Sequence, residues 1–265
     1  DLNMCFEIFQ LGAAEIRGIG NVDGKHRSYS GWFASVGGLM SALEQMEYLN
    51  LNWYFVFNQI DSYQLDGKMK KGFCVEKFAI SNHCICDIDI VRRKWVMLDF
   101  DPVRPSGTSS TFEQLSYASM TAKKVWDFLF HNGFYDYVGC VSGNGYHIML
   151  PCDLEANEQT DNLVSDFIKV ISMLFSDENV AIDTQVSNRA RLTKLYGTVA
   201  HKGEHSALTP HRTSCFKHVP QEIKPIDKAY FEKIVDAFMT PNSRPSSENN
   251  YGRGKFSLES FLKSH

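Results

Sequence analysis

The sequence predicts an α+β fold, in which an antiparallel or mixed sheet packs against helices on one face. Short runs of alternating apolar residues, ended by Gly, Pro or Asn, are typical of strands. A long helix is predicted at 111–131, where Ser109, Ser110 and Thr111 are candidate N-caps, and a second helix at 157–175. The order of these elements along the chain is strand, helix, hairpin, helix and strand, which favours helices segregated on one side of a sheet.

Residues 1–85 are predicted to form an N-terminal α/β module. It contains a short strand at 15–19, a helix at 39–49 and a strand at 53–57 that ends at Asn58. Because the last of these runs is rich in aromatic residues, we expect that strand to be buried.

Residues 86–239 are predicted to form a second module with an RRM-like sheet. A strand at 94–101 ends before Pro102, and Asn-Gly between two alternating runs is the strongest short hairpin signal. The module's predicted helices cover 111–131, 157–175 and 226–239, and its other strands cover 137–141, 146–150, 191–197, 212–219 and a run ending at Asp183. Residues 240–254 are rich in Pro, Ser, Asn and Gly and are predicted to be a linker, and 255–265 to begin a downstream segment.

Composition limits the classes of protein that fit. The chain has 265 residues, 43% hydrophobic and 22% charged, as in a soluble globular protein. No apolar run could span a bilayer and no secretory signal is present, so no membrane partner is expected. Seven scattered cysteines without a CxxC pair indicate reduced thiols in a cytoplasmic protein. Cys74, His83, Cys84 and Cys86 could form a zinc site, but Cys84 and Cys86 are too close for a usual zinc knuckle, so no zinc is expected.

The distribution of charge matters more than its sum. The net charge of −4 argues weakly against a nucleic-acid-binding protein. Between Arg189 and Lys217, however, six basic residues accompany Glu204 as the one acidic residue. Such a stretch is either a solvated basic face or a surface that contacts phosphates.

Asp99-Phe-Asp101 is the first motif that could carry chemistry. Alternate residues of a strand point to the same side, so both carboxylates project from one face, close enough to share cations. Mg²⁺ favours such hard oxygen ligands, and two ions can assist phosphoryl transfer. A solvated strand end is the simpler interpretation, and Asp87-Ile-Asp89 is a rival pair. The apolar strand that leads into Asp99 favours the first pair.

Two further motifs follow in the chain. In Ser142-Gly-Asn-Gly-Tyr-His147, a glycine-containing turn can expose N–H groups to an anion, although an ordinary hairpin would have the same sequence. From Asp183 to Lys202, a third carboxylate precedes basic residues, among which Arg191 and Lys202 are suited to phosphate.

In this order the three motifs resemble the archaeo-eukaryotic primase superfamily, in particular the bifunctional primase-polymerases of phages, plasmids and CRISPR-associated systems. Its first motif is a DxD, matched by Asp99 and Asp101; its second is matched by the turn that ends at His147 and its third by Asp183. Flanking residues are similar over nearly the whole chain. The sequence departs from several relatives in having no convincing zinc-binding stem.

The resemblance implies a template-directed DNA primase-polymerase, which is a nucleotidyltransferase, with the superfamily's RRM-like catalytic core. It implies two Mg²⁺ or Mn²⁺ ions, held by catalytic Asp99, Asp101 and Asp183. It also implies that the nucleoside triphosphate is contacted by Ser142, Gly143, Asn144, His147, Arg191 and Lys202. The expected partners are single-stranded DNA template, primer, dNTP or NTP, and a downstream helicase or CRISPR-associated module.

Two other functions fit parts of the sequence. A metal-dependent nuclease or phosphatase would also use clustered carboxylates. A non-catalytic RRM-like binding module would need exposed aromatic residues on its sheet, whereas the Tyr and Phe residues lie mostly in apolar strand patterns.

Overall fold

The computed structural model describes residues 1–60, 74–80 and 84–239, so the predicted linker at 240–254 and the segment at 255–265 lie outside the described residues. Two large antiparallel sheets and a separate two-stranded sheet, packed with five described α-helices, confirm the predicted α+β class. Among the described helices, none is both long and apolar enough to cross a membrane.

The first sheet has the strand order β10-β3-β1-β2-β5. Its strands are β1 (Ala14–Val22), β2 (Lys25–Phe33), β3 (Asn52–Val56), β5 (Ala79–Ile80) and β10 (Leu192–Lys194). Asp23 and Gly24 join β1 to β2 with φ angles of 50° and 72°, the left-handed conformation that a tight hairpin turn requires. Ile16 and Phe55 pair across β1 and β3 and are fully buried. Helices α1 (Leu2–Ile8) and α2 (Val36–Met46) also contribute to this core.

The second sheet has the order β13-β7-β8-β6-β4, with β9 beside β6. Its strands are β4 (Gln59–Ile60), β6 (Ile90–Pro102), β7 (Val138–Val141), β8 (Tyr146–Glu155), β9 (Val180–Ile182) and β13 (Cys215–His218). Helices α3 (Phe112–His131), α4 (Glu158–Phe175) and α5 (Lys228–Met239) accompany it. Capping boxes at Thr111 and Asn157 start α3 and α4, which explains why both helices begin close to their predicted positions.

Each predicted module contributes one strand to the sheet of the other. Strand β4 pairs with β6, while β10 pairs antiparallel with β3. One hydrophobic core includes residues of both sheets: the ring of Phe9, which follows α1, lies 5.0 Å from that of Phe55 on β3 and 4.9 Å from that of Trp95 on β6. The two predicted modules therefore exchange a strand in each direction, and their boundary at residue 85 stays a prediction.

Strand 191–197 was expected to be longer than the structure has it. Only Leu192–Lys194 pair with β3, because the chain then turns at Gly197, whose φ is +99°. After the turn, β11 (Val199–Ala200) pairs with β12 (Arg212–Thr213). This turn brings Lys202 back towards the second sheet, where its carbonyl accepts a hydrogen bond of 2.8 Å from Ser109.

Candidate active site

Asp99 and Asp101 lie near the end of β6, on the same side of the strand. Leu98, before Asp99, and Phe100, between the two aspartates, point to the opposite side of the strand and are fully buried. The carboxylates retain partial contact with solvent, with side-chain exposures of 18% for Asp99 and 48% for Asp101. The strand thus buries one row of side chains in the core and presents two carboxylates on its other face.

His147 lies directly opposite Asp99 in the register of β6 and β8. Its Nε2 atom is 3.3 Å from Oδ1 of Asp99, and its Nδ1 atom is 2.7 Å from the hydroxyl of Tyr196. Burial holds the pKa of Tyr196 well above its usual value, so the phenol keeps its proton and can donate it to Nδ1. When Nδ1 accepts that bond, the hydrogen of Nε2 faces Asp99.

Asp183 follows β9 and is anchored beside Asp99 through the backbone. Its N–H donates to the carbonyl oxygen of Asp99 at 3.0 Å. Its side chain, however, is engaged elsewhere: Oδ1 accepts a bond of 2.8 Å from the N–H of Gln185, and Oδ2 one of 3.4 Å from Arg191. The fold brings the third aspartate to the first two, while its carboxylate contacts the cation that follows it in the chain.

Burial and neighbouring charges shift the pKa values of the two strand carboxylates in opposite directions. Burial acts to raise the pKa of Asp99, but His147, Arg191 and Lys202 together outweigh it and lower that pKa. Burial and then the charge of Asp99 raise the pKa of Asp101, against the opposing effect of Arg104. Asp101 therefore carries unrelieved repulsion, which a bound cation would remove.

The donor chemistry of this face fits a divalent metal. Asp99 and Asp101 offer oxygen ligands from one strand, and their mutual repulsion favours a cation between them. In the part of the chain that the structure describes, no three His, Cys, Asp or Glu side chains already converge on one point. A three-aspartate site would need the carboxylate of Asp183 to leave Arg191.

The turn at Ser142 is built around its glycines. A side chain at Gly145 would lie 2.5 Å from the carbonyl of Phe100 and 3.1 Å from the carboxylate of Asp101. Gly143 has a φ of +103°, which favours glycine. The N–H of Gly145 donates to Oγ of Ser142 at 3.1 Å, and Oδ1 of Asn144 accepts a 2.9 Å bond from the N–H of Ser110. The turn is therefore held against Asp101, and the Asn144 amide secures the loop before α3.

Arg191 and Lys202 lie in two cavities that meet at Ile19 and Tyr54. The cavity with Arg191 has a volume of about 380 Å³, and the one with Lys202 about 1060 Å³. The charges of Asp99 and Asp101 contribute to a raised pKa of Tyr54, after burial as the main cause. Tyr54, which lines both cavities, is thus near enough to the carboxylate pair for their charges to act on it.

The rest of the basic stretch is dispersed. Arg189 pairs with Asp161 through contacts of 2.7 to 3.0 Å. Lys194 is buried, and its ammonium donates to the carbonyl of Val199 at 2.9 Å. Arg212 lies behind the turn, with its guanidinium bonded to the carbonyl of Ser110 at 2.7 Å. These three cations hold the fold together at their respective positions.

The rival aspartate pair has structural contacts. Asp89 is buried in a short 3₁₀ turn, where Oδ2 accepts a bond of 2.8 Å from the N–H of Cys86. Asp87 accepts a bond of 2.7 Å from the N–H of Ala190. Of the candidate zinc ligands, His83 lies outside the described residues.

Sequence reasoning did not single out Tyr196, Tyr54 or Arg104. Tyr196 lies near the end of the predicted strand 191–197, and nothing local shows that its hydroxyl reaches His147. Arg104 follows the first motif closely, and that proximity was the one available signal: its guanidinium is 3.4 Å from Asp101.

No protein-family model and no curated protein matches the sequence. Solved structures similar to this chain include primase and polymerase domains, the class of protein that the motifs resemble. One is primase RepB', at 9% identity and a TM-score of 0.47, with 88% of this chain and 60% of that chain covered. This chain thus spans about three fifths of that structure's length.

Two other similar structures are catalytic or polymerase domains. The catalytic domain of RepB' in complex with initiator DNA has 9% identity and a TM-score of 0.44, with 88% of this chain and 90% of that one covered. The polymerase domain of Mycobacterium tuberculosis Ligase D in complex with DNA has 12% identity and a TM-score of 0.41, with coverage of 80% and 79%. These likenesses carry no site residue over to this chain.

Proposed function

We propose that this chain is the catalytic core of a template-directed primase-polymerase, which joins nucleotides from nucleoside triphosphates on a single-stranded DNA template. The observation that carries the proposal is the carboxylate pair on β6. Asp99 and Asp101 share one face, His147 contacts Asp99, and the charges of Arg191 and Lys202 act on Asp99. Carboxylates on which two cations act, each cation lining a cavity, suit a metal-bound triphosphate.

Asp99 and Asp101 would hold two Mg²⁺ or Mn²⁺ ions, with Asp183 joining them once it releases Arg191. Bound there, the ions would neutralise phosphate charge and orient the attacking and leaving oxygens. Release of Arg191 would couple metal binding to triphosphate binding, because the freed guanidinium lines the smaller cavity. Arg191 would thus pair with Asp183 before the triphosphate binds and with a phosphate afterwards.

The remaining protein groups would bind and orient the triphosphate. Lys202 is exposed in the larger cavity and free to reach a phosphate oxygen. Ser142 accepts a hydrogen bond from within its own turn, so its hydroxyl hydrogen remains to be donated outward. Gly143 and Asn144 would keep the turn close to Asp101, and His147 would keep Asp99 ionised and oriented.

A primer-extension assay tests this function. The full chain is given a labelled primer on a single-stranded template, dNTP or NTP, and Mn²⁺ or Mg²⁺. The double variant Asp99→Asn with Asp101→Asn is assayed alongside. Asp127→Asn is the matched control, because Asp127 is an exposed carboxylate on α3 that pairs with Lys123. We expect extension by the wild type and the control, and none by the double variant.

Two outcomes would overturn the proposal. Shortening of the labelled strand, dependent on the same two aspartates, would make the protein a nuclease. Binding of the template without any incorporation would make it a non-catalytic binding module.

A further inference from the structure

Phe112 is an exposed aromatic residue at the edge of the candidate active site. It is the first residue of α3, and 69% of its surface is accessible. Two residues before it, Ser110 bonds to Asn144 of the turn that packs against Asp101. This bond connects the start of α3, which carries the exposed ring, to the turn beside Asp101.

The underside of the ring rests on a cation. The guanidinium carbon of Arg212 lies 4.6 Å from the centre of the Phe112 ring. This guanidinium reaches backbone carbonyls through Nη1, but in the described part of the chain Nε and Nη2 are buried and meet no acceptor. No carboxylate among the described residues pairs with it, and burial lowers its pKa.

This combination has a physical consequence for the exposed face. A cation on one side of an aromatic ring draws π-electron density towards itself, so the other face becomes a better partner for an electron-rich ring. The contact with Arg212 also restrains the ring, which reduces the entropy that a stacked ligand would have to remove. An apolar ligand without π-electrons would not gain from the polarised ring face. A nucleobase has both the flat shape and the π-electrons.

We infer that Phe112, supported by Arg212, is a stacking platform for one unpaired base of a single-stranded nucleic acid. This inference rests on the proposed function for its ligand class, and it adds a binding site outside the motifs. Stacking is tolerant of base identity, because each base offers a π-face. The platform would hold a template strand without selecting its sequence.

Anisotropy of a labelled oligothymidylate of about twelve nucleotides, without nucleotide or metal, measures the contact directly. We expect Phe112→Ala and Phe112→Leu to weaken binding about tenfold, and Phe112→Tyr to bind like the wild type. Because Phe112→Leu keeps an apolar side chain over Arg212, a loss of affinity in this variant would be due to the missing aromatic face. Phe130→Ala is the control: it is on the same helix, 48% exposed, and about 27 Å away at 1.5 Å per residue.

An abasic oligonucleotide of equal length and charge separates stacking from other causes. With it, wild type and Phe112→Leu should bind equally, and on either strand the two proteins should show the same salt dependence, since Phe112 neutralises no phosphate. Unchanged affinity of Phe112→Leu for oligothymidylate, or an equal loss on the abasic strand, would overturn the platform.

Primer extension by the wild type and by Phe112→Leu, measured beside the titration, keeps the two proposals apart. Phe112-dependent affinity in a wild-type chain that does not extend primers would retain the platform and reject the polymerase. Extension that is intact in a chain with no Phe112-dependent affinity would do the reverse.

Discussion

The Nε2 atom of His147 lies 3.3 Å from Oδ1 of Asp99, directly across the β6–β8 pair. Tyr196 holds the other ring nitrogen, so the imidazole cannot turn without breaking a buried hydrogen bond of 2.7 Å. The carboxylate that is more deeply placed is thereby kept ionised, while its neighbour Asp101 is left with a raised pKa. Variants of these residues test whether the arrangement serves nucleotide incorporation.

Replacing both strand carboxylates should abolish incorporation without unfolding the protein. The double variant Asp99→Ala, Asp101→Ala removes the proposed metal ligands and also the repulsion that raises the pKa of Asp101. We expect no extension product and a Tm at least equal to that of the wild type. Normal extension by this variant would show that the metal site lies elsewhere.

His147→Ala should raise the KM for nucleotide about tenfold and lower kcat less. A triphosphate contact, or a contact that orients Asp99, that is equal in ground and transition states affects KM first; about 1.4 kcal/mol corresponds to tenfold. Tyr196→Phe should have a smaller effect in the same direction. Because the two residues act through one hydrogen bond, the double variant should resemble His147→Ala alone. Additive effects, measured by steady-state kinetics, would separate the two residues.

The same substitution should affect nucleotide binding at Arg191 and folding stability at Arg189. Arg191→Gln should raise the KM for nucleotide with little change in Tm, because its side chain lines a cavity. Arg189→Gln should lower stability by about 1–3 kcal/mol, since it breaks charged hydrogen bonds to Asp161, and leave KM unchanged. Thermal unfolding measures the Tm of both variants, and steady-state kinetics measure their KM for nucleotide. A raised KM for Arg189→Gln with an unchanged KM for Arg191→Gln would exclude Arg191 from the nucleotide site.

Lys194 should make stability rise with pH. Burial lowers its pKa from 10.5 to about 7, so between pH 7 and 10 the unfolded chain binds more protons than the folded one. The free energy of unfolding of the wild type, relative to Lys194→Met, should increase over this range by at most about 1.4 kcal/mol per pH unit. Denaturant unfolding at several pH values measures this difference. Parallel profiles for the two proteins would place the ammonium in contact with solvent.

Single-stranded DNA binding by this chain should be modest and sensitive to salt. Arg189, Lys194 and Arg212 are engaged within the fold, which leaves few cations for phosphates. Each phosphate neutralised contributes about 0.7 to the slope of log affinity against log salt, and we expect a total of about 3 or less. An anisotropy titration across a salt series, with and without nucleotide and Mn²⁺, measures the slope. Tight binding that ignores salt would contradict this expectation.

Local sequence was sufficient to predict the main elements of the second module and the geometry within each motif. Alternation placed Asp99 and Asp101 on one face of a strand, and capping residues such as Thr111 and Asn157 marked where helices begin. These features depend on residues a few positions apart, whose relation is set by the period of a strand or helix. A pattern of that range can be read along the chain.

Only the tertiary structure decided which distant residues meet. Tyr196 is 49 residues from His147, and Asp161 is 28 residues from Arg189. Neither partner can be read from local spacing, because each pairing depends on how strands cross between sheets and which polar groups are buried together. Burial also separates two neighbouring cations of the basic stretch: Arg191 lines a cavity and contacts Asp183 at 3.4 Å, while Arg189, two residues earlier, is bound to Asp161 at 2.7 Å. A buried charge must find a partner, and the fold, through the position of that partner, determines which cations are left for a ligand.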